Sequence, residues 1–144
     1  MMTAVAIMMV PRKATAVEAL VDDFRAWSRS IDEAVRQGRI GTPVSARVVD
    51  LSTPDHGRIE ANLARAIEAA WSWLGSTPVL VRATGGAEAG QITALLKFAS
   101  GASAVLAAAG CGPSTPRLEA YVLGNKGVLT WEPFEPGELD DDEG

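Results

Sequence analysis

Cysteine and histidine each occur once in the 144 residues, as Cys111 and His56. A single thiol excludes an internal disulfide and any cysteine-rich zinc site. A single imidazole excludes a multi-histidine metal site and confines histidine acid–base chemistry to one position. Basic clusters are also missing. No Lys/Arg run is longer than Arg12-Lys13, and 13 basic residues against 18 acidic ones leave a net charge of −5. With a pI near 4.8, that balance argues against nucleic acid as a partner, because phosphate recognition needs clustered Lys and Arg. No apolar run approaches the roughly 20 residues that cross a bilayer. Met1–Val10 is apolar, but its nearby charges, Arg12 and Lys13, follow the run instead of preceding it, the reverse of a secretory signal. The expectation is a cytoplasmic protein with neither membrane nor nucleic-acid partners.

What remains is ordinary globular composition, 47% hydrophobic and 22% charged, over a length that suits one domain. Thr3–Val10 reads as a buried strand ended by Pro11. From Thr15 to Gly38, Val17, Leu20, Val21, Phe24, Trp27, Ile31, Ala34 and Val35 recur at spacings of three and four, one face of an amphipathic helix. Thr15 with Glu18 fits a capping box, and Gly38 a helix stop. Val44–Leu51 is rich in β-formers. A second helix is expected over Arg58–Leu74, with Ile59, Leu63, Ala66, Ile67, Ala70, Trp71 and Leu74 inward and Gly75 as its stop.

Beyond Gly75 the period changes to two, with strands predicted at Val79–Thr84, Gln91–Ala99, Ala102–Ala109, Arg117–Leu123 and Gly127–Trp131. Ser100-Gly101 leaves room only for a tight hairpin. Strands clustered after two helices predict an α+β fold: two layers, a largely antiparallel but mixed sheet, and both helices on one face. Residues 1–134 form the expected single domain, and residues 135–144 an acidic tail.

One sheet face collects Ile92, Ala94, Leu96 and Phe98 with Ala102, Ala104, Leu106 and Ala108, and with Leu118, Ala120 and Val122. The other still carries Leu95, Val105, Ala107, Ala109, Tyr121 and Leu123, interrupted by Thr93, Lys97 and Glu119. That second face is too apolar to stand in water and too polar for another core, the composition of a protein–protein contact. Leu95, Val105, Tyr121 and Leu123 are the expected interface residues of a homodimer.

Three ordered stretches resemble the C-terminal domain of the glucose–fructose oxidoreductase / inositol dehydrogenase (Gfo/Idh/MocA) family. The first runs from Ile31 through Gly38-Arg39-Ile40-Gly41 to Val44. The second is Gly57–Gly75, ending Trp71-Ser72-Trp73-Leu74-Gly75. The third joins Ala94–Phe98, Ser100-Gly101-Ala102, Leu118–Leu123 and Gly124-Asn125-Lys126-Gly127-Val128-Leu129.

The resemblance implies a nicotinamide dinucleotide bound on a separate N-terminal Rossmann domain. No GxGxxG stands in this sequence, so no cofactor is expected on the chain itself. It also implies a catalytic histidine and an acid on the helix that ends at the Trp-Leu-x-Gly turn. Those positions hold Arg65 and Glu68 here. A guanidinium does not serve as a general base, and His56 lies in the loop before the helix. Arg65, Glu68 and His56 are therefore only weak catalytic candidates; Arg65 and Glu68 read most simply as an intrahelical ion pair. Trp71, Trp73 and Trp131 read as core or interface anchors. The expected function is a truncated, non-catalytic, self-associating module without its own nucleotide site. The alternative is the substrate-binding half of a dehydrogenase whose NAD(P)-binding Rossmann domain is a separate chain.

Overall fold

The computed structural model describes residues 16–53, 56–112 and 115–131. Helix α1 (Ala16–Arg36) leads to strand β1 (Pro43–Thr53), a 3-10 turn (His56–Arg58) and helix α2 (Ile59–Leu74). Strands β2 (Pro78–Gly86), β3 (Gln91–Phe98), β4 (Ser103–Gly110), β5 (Arg117–Gly124) and β6 (Gly127–Trp131) follow. The expected Thr3–Val10 strand, the Thr15 cap and the acidic tail lie outside the described residues.

The six strands form one sheet in the order β2-β3-β4-β1-β5-β6. Only β1 and β4 run parallel; each other neighbouring pair is antiparallel. A parallel neighbour requires a crossover, and α2 with β2 and β3 supplies it. Both helices lie on one face, so the fold is α+β with a mixed, unclosed sheet.

Strand alternation decides what meets the helices. Ala46 and Val48 of β1, Ala94, Leu96 and Phe98 of β3, Ala104 and Leu106 of β4, and Leu118, Ala120 and Val122 of β5 are all buried in one cluster. The two-residue periodicity therefore predicts the correct parity on β3, β4 and β5. Against this sheet α1 lays Leu20, Phe24, Trp27 and Ile31, the three-and-four spacing of its sequence.

Four aromatic rings join the layers. Trp27 and Trp73 stand edge to face at 5.4 Å, and Phe24 meets Trp131 at 5.5 Å and Trp73 at 6.1 Å. Such pairs contribute about 0.5–1.5 kcal/mol each beyond the area they bury. Here the structure corrects the inward face of α2. Trp71 is 47% exposed, whereas Trp73 is 1% exposed and donates its indole N–H to Ser28 Oγ at 3.0 Å. Placing α2 between β1 and α1 turns its last two turns so that Ala69, Ala70, Trp73 and Leu74 point inward. Gly75, at φ 62°, stops α2 in the left-handed conformation that glycine adopts without strain.

The link from α1 to β1 docks on the β5–β6 turn. Lys126 N–H donates to Ile40 O at 2.9 Å, and Asn125 Oδ1 accepts from Thr42 N–H at 3.0 Å. A Cβ at Gly124 would overlap the Ile40 carbonyl, and one at Gly41, which has φ +76°, would overlap Asn125. Both glycines are there for close approach.

Candidate functional site

The alternation of β1 carries a polar ending. Ala46 and Val48 turn toward the helices, and so do Asp50 and Ser52 two and four residues further on, each 1% exposed. A carboxylate at that depth needs a partner, because desolvation of an unpaired charge costs several kcal/mol. Asp50 has three donors. Its Oδ2 lies 2.7 Å from Arg65 Nη2. Its Oδ1 accepts from Ser52 N–H at 2.9 Å and from Ser52 Oγ–H at 2.6 Å. Asn62, one turn before Arg65 on α2, closes the ring: its Oδ1 accepts from Arg65 Nη2 at 3.1 Å, and its Nδ2 lies 3.4 Å from Ser52 Oγ. No buried side-chain nitrogen or oxygen among the described residues is left without a partner.

This geometry replaces the intrahelical Arg65–Glu68 pair expected from the sequence. Arg65 reaches down to the sheet, and Glu68 stays exposed without an ion pair or hydrogen bond among the described residues. The buried carboxylate is the stronger attractor, since a pair at lower dielectric interacts more strongly than one in water. The position to which the resemblance assigns a catalytic histidine is thus occupied by the cationic half of a structural ion pair. His56 opens the 3-10 turn that precedes α2, so it is not on the helix with Arg65 and Glu68. Among the described side chains, Arg65 is bonded to Asp50 and Asn62 and not to Glu68.

The opposite sheet face does collect its predicted residues. Leu95, Val105, Tyr121 and Leu123 all point away from the helices. Leu95 pairs with Val105 across β3–β4, and Tyr121 lies one alternation from Leu123 on β5. One cross-strand row runs through all six strands as Arg82, Leu95, Val105, Arg47, Tyr121 and Thr130. A second row holds Leu80, Lys97, Ser103, Ser45, Leu123 and Val128. Leu80, Leu95, Val105, Leu123 and Val128 are between 37% and 52% exposed. Apolar side chains therefore flank the central strand on both sides, with the Arg47 guanidinium between them. The sequence reading missed Arg47, Arg82 and Asp50. Asp50 had a signal, as the acid that continues the Ala46, Val48 alternation; Arg47 shares the parity of Ser45 and Val49 and follows from the same count.

A scan against protein-family models finds no match, and neither does a search of curated proteins. Solved structures do match. The chain is similar to a probable dehydrogenase from Thermotoga maritima, with TM-score 0.66 and 21% identity over 76% of this chain and 38% of that one. A putative myo-inositol dehydrogenase from Sinorhizobium meliloti 1021 gives TM-score 0.63 and 23% identity over 76% and 39%. An aldose–aldose oxidoreductase from Caulobacter crescentus gives 0.60 and 20% over 81% and 45%. The chain spans less than half the length of each. At these identities the likeness is one of fold, shared with part of each of these chains.

Proposed function

We propose that this chain, which has the fold of part of the sugar and inositol dehydrogenases, works as a non-catalytic module that associates with a second copy of itself through its open sheet face. The supporting observation is the six-strand face with its two apolar groups. Four of its side chains, Leu95, Val105, Tyr121 and Leu123, keep part of their surface in water, and association would gain the exposed share of the roughly 1.5–3 kcal/mol that full burial of a large apolar side chain is worth. Homodimers use the same patch on both subunits. A two-fold axis parallel to the strands, running between β4 and β1, lays β3 over the partner's β5 and β4 over its β1. Leu95 then faces a tyrosine ring, Leu80 faces a valine, and Arg47 lies over Val105 instead of another arginine. An axis across the strands at the level of the Arg47 row stacks Arg47 on its own copy and is disfavoured by like charge.

No nucleotide site is assigned within the 144 residues. Arg65 supports the non-catalytic part of the reading: committed to Asp50, it offers no base for hydride transfer. A second reading, a substrate wall for a separate dinucleotide-binding protein, draws its support from the partial coverage of complete dehydrogenases. Nicotinamide-dependent turnover that appears only on mixing the two chains would favour it. Sedimentation velocity over a dilution series tests the primary reading. A dimer coefficient that falls toward the monomer value on dilution supports it, and a monomer coefficient at every concentration refutes it.

A further inference from the structure

On the helix side, α1 and α2 leave a groove of about 600 Å³, lined by Arg25, Arg29, Arg58, Arg65 and Glu68 together with small residues of both helices. That volume lies within the range of small-molecule sites. Arg65 is neutralised by Asp50, but Arg25, Arg29 and Arg58 make no ion pair or hydrogen bond among the described residues. Among the described residues, three guanidiniums without an ion pair line a concavity whose one described acid is Glu68, in a chain with five more acids than bases.

Arg25 and Arg29 are one turn apart on α1, a like-charge spacing whose few tenths of a kcal/mol are offset along the helix by Asp22 before Arg25 and by Asp32 after Arg29. Arg58 adds a third charge from the start of α2, across the groove. Concave walls concentrate such a field, and guanidiniums bind carboxylates and phosphates through paired N–H donors. Glu68 works against an anion at the same place, so its charge sets a sign that can be tested.

We propose that the groove between α1 and α2 binds a small organic anion carrying two or more carboxylate or phosphate groups, held by Arg25, Arg29 and Arg58. The site is on the opposite side of the sheet from the association face and does not depend on it.

Calorimetric titration of the full chain at low salt, with citrate and with inorganic pyrophosphate, tests the proposal. The expected result is saturable binding of at least one probe, weakening steeply with added salt. Tighter citrate binding points to a polycarboxylate ligand, and tighter pyrophosphate binding to a phosphorylated one. Arg25→Gln combined with Arg29→Gln should weaken it about tenfold, the effect of losing roughly 1.4 kcal/mol. Arg58→Gln alone should weaken it less, and it retains the α1 sequence if the double variant folds poorly. Glu68→Gln should tighten binding several-fold, which a merely structural role would not produce. Absence of saturable heat with both probes overturns the proposal. So does unchanged affinity in folded arginine variants, or weaker binding in Glu68→Gln. The oligomeric state is expected to be the same in all of them, which separates this test from that of the sheet face.

Discussion

Arg65 on α2 places its Nη2 2.7 Å from Oδ2 of Asp50 on β1, so the helix and the central sheet are joined by a charge pair whose carboxylate is almost entirely buried. The relationship accounts for an arginine where the resemblance implies a histidine. Asp50 is the group that the side chain reaches.

The pair predicts an asymmetric set of stability changes. Arg65→Met leaves Asp50 buried without its countercharge and should cost about 3 kcal/mol, the low end for breaking a buried pair, because Arg65 keeps some contact with water. Asp50→Asn with Arg65→Met removes both charges while keeping an acceptor for Ser52, and should be less destabilised than Arg65→Met alone. Urea unfolding of the wild type and these variants measures it. Equal losses in the single and double variants would show that the pair does not control the site.

Arg65→His should produce no nicotinamide-dependent oxidation of sugars or inositols. A positioned general base accelerates a reaction by about 10²–10⁴-fold, but only where a bound cofactor accepts the hydride. Absorbance at the reduced-nicotinamide band, followed with NAD or NADP and a panel of polyols, is the readout. Turnover above the wild-type background would count against the non-catalytic reading.

The two tryptophans of α2 should separate cleanly. Trp73→Ala opens the four-ring cluster and should cost about 3–5 kcal/mol. Trp71→Ala, on the exposed side, should stay within about 0.5 kcal/mol of wild type. Thermal melts of both variants decide the point. Comparable destabilisation would mean that α2 is rotated from the orientation described.

These contrasts mark where the sequence was legible. Period-two runs on β3, β4 and β5 predict the buried face residue by residue, because an antiparallel strand with helices on one side must alternate. Helix α1 was equally plain, with Leu20, Phe24, Trp27 and Ile31 repeating over a polar background. On α2 the small residues blurred the stripe. Ala66, Ala69 and Ala70 are apolar on either side of a narrow choice, and only docking against β1 and α1 decides for Trp73 over Trp71. Arg65 pairs with a residue on another element, and spacing along the helix offered only Glu68. The β1–β4 pairing is also invisible locally, since it joins strands separated by a helix and two further strands.

The association face is tested most directly by light scattering on the wild type and on Leu95→Glu with Val105→Glu. These two residues pair across β3–β4, so the change puts two carboxylates in the middle of the face without touching the core. The account predicts a wild-type dimer at about 10 μM, a concentration that populates complexes of micromolar affinity or better, and a folded monomer for the double variant. A wild-type monomer at that concentration, or a dimer that survives both substitutions, would contradict it.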